Sequence, residues 1–372
     1  MSPRSVFEEV PADTKAPDTP AASRDPARKG IFIWLMILAA LVAVMVLVGG
    51  ATRLTDSGLS ITEWAPVMGA LPPMSAADWN AAFEAYKTTT EFQDQNNWMT
   101  LADFKPIYWW EWGHRFLGRL VGVVWFAGFL WFLLRGTIPE GWTGRLLLPG
   151  ILGGAQGALG WWMVASGLTG RLDVAPYRLA AHLGLAFVIF ALLLWLALRI
   201  KRDPVDTLAR RRRRVAPMMG WSSVLIGLVF LQILSGALVA GLDAGRGFID
   251  WPLMEGQFFP PNALDMAPIW LNFFENAGLA QFNHRMLAYL IVILTVLFWI
   301  RSARSGHGKV GAWGRRVMIV VVLQAVLGVV TVMHAAPLGL ALGHQALALI
   351  VVGALIHARF EIAYPSEQKI TT

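Results

Sequence analysis

Eight apolar runs, near residues 31–51, 115–134, 146–165, 179–198, 217–240, 285–300, 317–334 and 339–358, alternate with polar segments along the chain. Crossing a hydrocarbon core about 30 Å thick takes roughly 20 helical residues. The pattern therefore predicts an all-α integral membrane protein with eight transmembrane helices and both termini on one side. The polar segments between the runs carry an internal repeat. A shift of 187 residues superposes Gly49 on Gly236, Asp56 on Asp243, Gly58 on Gly245, Trp64 on Trp251, Gly69 on Gly256 and Pro73 on Pro260, with Glu63 matching Asp250. Shifts of 170, 168 and 162 then pair His114-Arg115 with His284-Arg285, Gln156 and Gly160 with Gln324 and Gly328, and His182 with His344. Four spans per repeat is an even number, so the halves insert in the same orientation, as parallel repeats do. Two pseudo-symmetric four-helix bundles are expected.

The expected organisation is a disordered tail over 1–29, an N-terminal bundle over 30–200, a basic linker over 201–214, a C-terminal bundle over 215–360 and a second tail over 361–372. Composition agrees with lipid as the solvent: 372 residues are 56% hydrophobic with 18 tryptophans and 15% charged residues. Of the 31 Lys and Arg, 22 fall before the first run, after every second run or in the C-terminal tail, with Arg210–Arg214 the densest cluster. Basic residues stay cytoplasmic, which predicts that both termini face the cytoplasm. The net charge of +7 is thus read as a topology signal, and no nucleic-acid partner is expected. Five basic and five acidic residues in the first 29 differ from an acidic-poor transit peptide. Cysteine is absent, which excludes disulfides, iron–sulfur clusters and covalent heme attachment through thiols.

Candidate chemistry lies where the even-numbered runs begin, at His114, His182, His284 and His344, all expected near the outer face. Ionisable side chains within spans are functional candidates by default. Two matched pairs on facing helices suit axial ligation of heme iron, for which neutral imidazole is a usual ligand. Zinc would need four ligands per site, and no Cys, Asp or Glu cluster accompanies either pair. The halves differ at Glu111, three residues before His114 and on the same helical face, where the second half has Gln281. A carboxylate exchanges protons and an amide does not. Arg53 is opposed by Ala240. Arg53, Arg115 and Arg285 are candidates to pair with heme propionates, or to snorkel to headgroups. His307 reads as solvated and His357 as interfacial. His334 ranks below the four paired histidines, because its repeat counterpart is Ser166. The outer segments 52–113 and 242–283 are rich in aromatics and include a candidate amphipathic helix over 75–92.

The run Gly49-Gly50-Ala51-Thr52-Arg53-Leu54-Thr55, with Ser57-Gly58-Leu59-Ser60, Trp64-x-Pro66-x-x-Gly69-x-x-Pro72-Pro73, Glu111-x-x-His114-Arg115 and His344-Gln345, resembles the heme A synthase family over about residues 31–360. The resemblance implies a membrane oxidoreductase that converts a methyl group of heme O to a formyl group, making heme A for terminal oxidases. It further implies that His284 and His344 ligate a resident heme b, that His114 and His182 hold the substrate heme, and that Glu111 is the essential carboxylate. The absence of cysteine matches the alphaproteobacterial and mitochondrial class. Heme O synthase, terminal oxidase assembly factors and a second copy of the chain in a homo-oligomer are candidate partners. A di-heme membrane cytochrome that oxidises quinol is the alternative reading of four histidines in a bundle. A transporter would predict helix breaks at mid-membrane, which the sequence lacks.

Overall fold

The computed structural model describes residues 26–65, 68–168 and 170–366. Most of the expected N-terminal tail, Pro66, and the last residues of the C-terminal tail lie outside these ranges. In chain order the helices are α1 (Pro26–Leu54), α2 (Ala76–Tyr86), α3 (Leu101–Leu134), α4 (Thr143–Val164), α5 (Pro176–Ile200), α6 (Pro204–Arg212), α7 (Ala216–Gly241), α8 (Asn272–Glu275), α9 (Ala277–Ala303), α10 (Gly308–Met333) and α11 (Leu338–Ala363). Seven of them, α1, α3, α5, α7, α9, α10 and α11, are long and apolar enough to span a membrane. The chain is an all-α, multi-pass membrane protein. The third apolar run does form a helix, α4, but glycines at 144, 150, 153, 154, 157 and 160 dilute its apolar density.

Every long helix extends beyond the apolar run that predicted it, because polar and aromatic residues of the flanking segments join the helix. The largest extension is at α3, which starts 14 residues before 115. There the Asp103 carboxylate accepts hydrogen bonds from the Thr100 amide and hydroxyl, closing the first turn as a capping residue does. Asn276 caps α9 by accepting from the Leu279 amide. Pro176 opens α5 at a position where its missing N–H costs nothing. The histidines consequently do not sit in first turns. His182, His284 and His344 are the seventh, eighth and seventh residues of their helices, about 9–11 Å along the axis from the first residue, and His114 lies deeper still along α3. Residues 201–214 are more than a linker, since Asp203 caps the short helix α6 by accepting from the Val205 and Asp206 amides. The final span also runs past 360, to Ala363.

In the first half α1 packs on α3 and α5, and α4 joins α3 to α5; in the second half α7 packs on α9 and α11, and α10 joins α9 to α11. The two rings meet through α5 against α7, α1 against α11 and α5 against α11. The seam is apolar. Ile31, Leu35, Leu38, Val42 and Val46 recur at three- and four-residue spacing on one face of α1 and, with Phe187 and Leu193 of α5, share one core with Leu225 and Val229 of α7 and Val351, Val352 and Leu355 of α11. Large apolar side chains on the outer ring, among them Val123, Leu134, Ile319, Leu323 and Ile350, are exposed, as expected of a surface that faces lipid tails.

Polar contacts fix the two ends of the seam. On the end that carries the basic segments, Arg202 donates to the Tyr364 carbonyl and pairs with Glu361, both at 2.7 Å. At the opposite end Arg53 pairs with Asp243 at 2.8 Å and Arg171 with Glu275 at 3.0 Å, each joining one half to the other. The expected amphipathic helix over 75–92 is shorter than predicted, ending at Tyr86. A π-helical turn, Phe92–Asn96, follows. Phe83, Tyr86, Phe104, Ile107 and Tyr108 form a small aromatic core of their own that holds this outer segment on α3.

Candidate functional site

One cavity of about 1430 Å³ runs through both halves, with His114, His182, His284 and His344 all in its lining. That exceeds the roughly 300–1,000 Å³ of an ordinary small-molecule pocket. Its walls are overwhelmingly apolar. Glu111, Gln281, Arg53, Arg115 and Arg285 also line it, so all the predicted site residues are brought to a single space.

Each imidazole rests on a glycine of a neighbouring helix. A Cβ placed on Gly49 would stand 2.8 Å from His114 Cε1; on Gly160, 3.0 Å from His182 Cε1; on Gly236, 3.0 Å from His284 Cε1; and on Gly328, 2.9 Å from His344 Cε1. Only hydrogen fits there without displacing the ring. Three of the four rings share a second device, a glutamine one helical turn before that glycine. The amide nitrogens of Gln156, Gln232 and Gln324 donate to the backbone carbonyls of His182, His284 and His344 at 2.9–3.0 Å. The same nitrogens lie 3.1–3.3 Å from the ring nitrogens. At the corresponding place before Gly49 stands Met45, and His114 Nδ1 is buried with no hydrogen-bond partner. The Gln-x-x-x-Gly spacing at 156–160 and 324–328 was legible as a repeat marker, whereas the same spacing at 232–236 was passed over, and its work as a histidine cradle emerges only when neighbouring helices are in contact. Gly328→Ala is expected to push the His344 ring aside at about 1–3 kcal/mol, measurable as loss of bound heme from the purified variant after washing.

Glu111 is buried, 3% exposed, and accepts four hydrogen bonds. Oε2 takes them from Ser60 Oγ (2.8 Å) and the Ile61 amide (2.7 Å), and Oε1 from Arg115 Nε (3.0 Å) and Nη2 (2.6 Å). Arg115 in turn donates to the carbonyls of Ile61 and Glu63. The second half rebuilds this clamp residue for residue. Gln281 Oε1 accepts from Arg285 at 3.1 Å, and Arg285 donates to the carbonyls of Phe248 and Asp250, the positions that match Ile61 and Glu63. Gln281 uses its amide protons where Glu111 has only acceptors, donating to the Ala244 and Phe248 carbonyls. One task of both side chains is thus to hold the outer segment on its helix, while only Glu111 adds negative charge to the cavity wall.

The three candidate arginines are engaged by the protein itself. Arg115 and Arg285 are held as above. Arg53 bridges Asp56 and Asp243, both at 2.8 Å, with Asp173 at 3.6 Å. Asp56 and Asp243 each adopt a left-handed backbone, φ 48°, and occupy matching positions in the two halves. Burial pushes the Asp173 carboxyl above its usual range, more than Arg53 draws it down. Nε of Arg53 and of Arg285 is buried without a protein acceptor. Of the other histidines, His334 is exposed and its ring bonds its own helix at the Val330 carbonyl, and His357 stacks on Trp313 at 4.4 Å. Neither lines the cavity. Trp64 and Trp251, matching aromatics of the outer segments, do; Trp64 packs on Trp161, and Trp251 donates to Tyr289 Oη. Sequence reasoning passed over Glu91, a buried carboxyl in the same lining, because nothing in its local pattern distinguishes it from a solvated loop residue.

An iron porphyrin suits these residues. The donor set is imidazole alone, each ring is seated on a glycine, one ring nitrogen is orphaned in an apolar wall, and the space is large and mostly apolar. Among the described residues no cluster of three or more His, Asp or Glu offers a competing metal site.

Comparison with known proteins gives the same direction. The family model described as cytochrome oxidase assembly protein matches residues 32–356. Heme A synthase of Ruegeria pomeroyi (strain ATCC 700808 / DSM 15171 / DSS-3) is 54% identical over 98% of both chains, and that of Ruegeria sp. (strain TM1040) 53% identical over the same shares. Heme A synthase of Paracoccus denitrificans (strain Pd 1222) is 48% identical over 100% of this chain and 99% of its own. With four cradled imidazoles in one apolar cavity and matches that span its length, the chain belongs to the heme A synthase family.

Proposed function

We propose that the chain oxidises one methyl group of heme O to a formyl group, yielding heme A for terminal oxidases. The observation that carries this reading is the placement of two paired-imidazole sites in one cavity, with a carboxylate one helical turn from a histidine in the first half only. His284 and His344 would hold a resident heme b, and His114 and His182 the heme O substrate. The bound heme b would supply electron exchange. The protein's own part is to orient the substrate through the first pair of rings, exclude water with the apolar wall and the two matching tryptophans, and hold charge at Glu111. There the fixed carboxylate takes up protons released as methyl C–H bonds are replaced, consistent with successive hydroxylations to a geminal diol that collapses to the aldehyde.

Two features support the division of labour. His114 lacks the glutamine tether that His182, His284 and His344 have, which suits a ligand that must admit and release its porphyrin. The second half has tethers on both of its rings, which suits a group that stays. Arg53 and Arg285 each keep one buried N–H available for a propionate. The topology that fits best is eight crossings, including the glycine-rich α4, as two bundles over 30–200 and 215–360 in a bacterial inner membrane, with both termini cytoplasmic. Supplying heme O to the purified, heme-loaded protein with an electron acceptor tests the function. A porphyrin with the mass and spectrum of a formyl product is expected, and unchanged heme O would refute the assignment.

A further inference from the structure

Besides Glu111 and the aspartates gathered around Arg53, the cavity lining contains a further carboxyl that the mechanism above does not use. Glu91 is 3% exposed, lines the cavity and has Oε2 buried without any hydrogen-bond partner. An ionised carboxylate left unpaired in such a place is costly, so the group either carries a proton or exchanges one. Its surroundings are acidic: Glu111, Asp56 and Asp173 all face it, with Tyr86 beside it. Burial, reinforced by these carboxylates, pushes the Glu91 carboxyl up to about 8. Glu111, one wall away, is satisfied on both oxygens by four donors. The same cavity therefore holds Glu111, hydrogen-bonded on both oxygens, and Glu91, with one oxygen left without a partner, two environments that set the carboxyls apart.

Glu91 also has polar neighbours on the outer segment. Asn96 donates to Tyr86 Oη at 2.8 Å, which leaves the Tyr86 O–H proton to point at Glu91, and Asn96 lies half-buried on the outer segment. Glu91 is the residue from which the π-helical turn Phe92–Asn96 starts, a distortion frequently found at functional sites. The matching segment of the second half is shorter. Between Pro73 and Glu111 lie 37 residues, and between the matching Pro260 and Gln281 only 20. The extra length is where α2, Glu91 and the π-helical turn reside.

We propose that Glu91 exchanges protons between the first-half cavity and the outer aqueous face, with the Tyr86 hydroxyl as its neighbour on the outward side. The step is a proton transfer only. The Glu91 acid gives its proton outward to water past Tyr86, and the resulting carboxylate takes up a proton released in the cavity, so each cycle moves one proton out and restores the acid. This rests on the reading of the first half as the substrate site.

The test uses the full-length, heme-loaded protein and the Glu91→Gln variant. Infrared spectra of the wild type should show a protonated carboxyl band at neutral pH that fades as pH rises through about 8, and Glu91→Gln should lack it. Formation of the formyl product should fall about 100-fold in Glu91→Gln with heme content unchanged, and Glu91→Asp should recover part of it. A band that persists in Glu91→Gln, wild-type turnover with an unaltered pH profile, or loss of bound heme in the variant would overturn the proposal, the last because it would make Glu91 a structural residue. Absence of product in the wild type itself would instead contradict the substrate-site reading, and the infrared band would still decide whether Glu91 holds the exchangeable proton.

Discussion

Replacing His284 or His344 with alanine is expected to strip the resident heme b from the purified protein while leaving the first-half site able to take up heme O. Each ring is half of a ligand pair. Loss of an outer-shell partner already costs about 10–100-fold in metal affinity, and loss of the ligand itself should exceed that. The readout is the low-spin absorption spectrum together with extraction of the pigments. His114→Ala and His182→Ala should give the opposite pattern, keeping heme b and losing heme O. An unchanged spectrum in His284→Ala and His344→Ala would show that the second-half pair is not a heme site. The sharing of one cavity by all four rings makes this selectivity a demanding expectation, since a general collapse would remove both pigments at once.

Glu111→Gln should lower formation of the formyl product by on the order of 10²–10⁴-fold with both hemes still bound. The second half of the molecule explains why the fold should survive. Gln281 occupies the matching position, accepts from Arg285 through its carbonyl oxygen and still fastens the outer segment, so an amide at position 111 can keep the Arg115 contact. One difference remains: Glu111 Oε2 accepts from the Ser60 hydroxyl and the Ile61 amide, and an amide nitrogen cannot accept from them. Ser60 can rotate its proton toward the Ile107 carbonyl, to which it already lies at 3.3 Å. Normal heme A production by Glu111→Gln would reduce Glu111 to the anchoring role that it shares with Gln281.

Much of this was legible in the chain. Apolar runs located the long helices, because lipid-facing helices must be apolar over a fixed length whatever their packing. The matching offsets located the histidines and the Glu111–Gln281 difference, because both halves use the same residues for the same contacts. Helix ends were not legible. The outer extension of α3 over 101–114 is polar and aromatic, and its start depends on the cap between Thr100 and Asp103, so hydropathy placed His114 at the beginning of a helix when it lies well inside one. The arginines were read as free to meet propionates, whereas in the structure loop carbonyls and carboxylates occupy most of their N–H groups. Most such contacts join residues far apart in the chain, 52 positions for Arg115 with Glu63 and 35 for Arg285 with Asp250, and no local pattern encodes them. Glu91 escaped notice for the same reason: its neighbours Tyr86, Asp56, Asp173 and Glu111 come from separate segments of the chain.

The central claim is that one pair of imidazoles keeps a cofactor heme and the other pair receives a heme that is chemically changed. Quantitative pigment extraction from the purified wild-type chain, produced alongside heme O, tests this most directly. One heme b per chain together with heme O, heme A or both is the predicted result. Two heme b per chain, with neither heme O nor heme A, would contradict it and make the molecule a di-heme electron carrier.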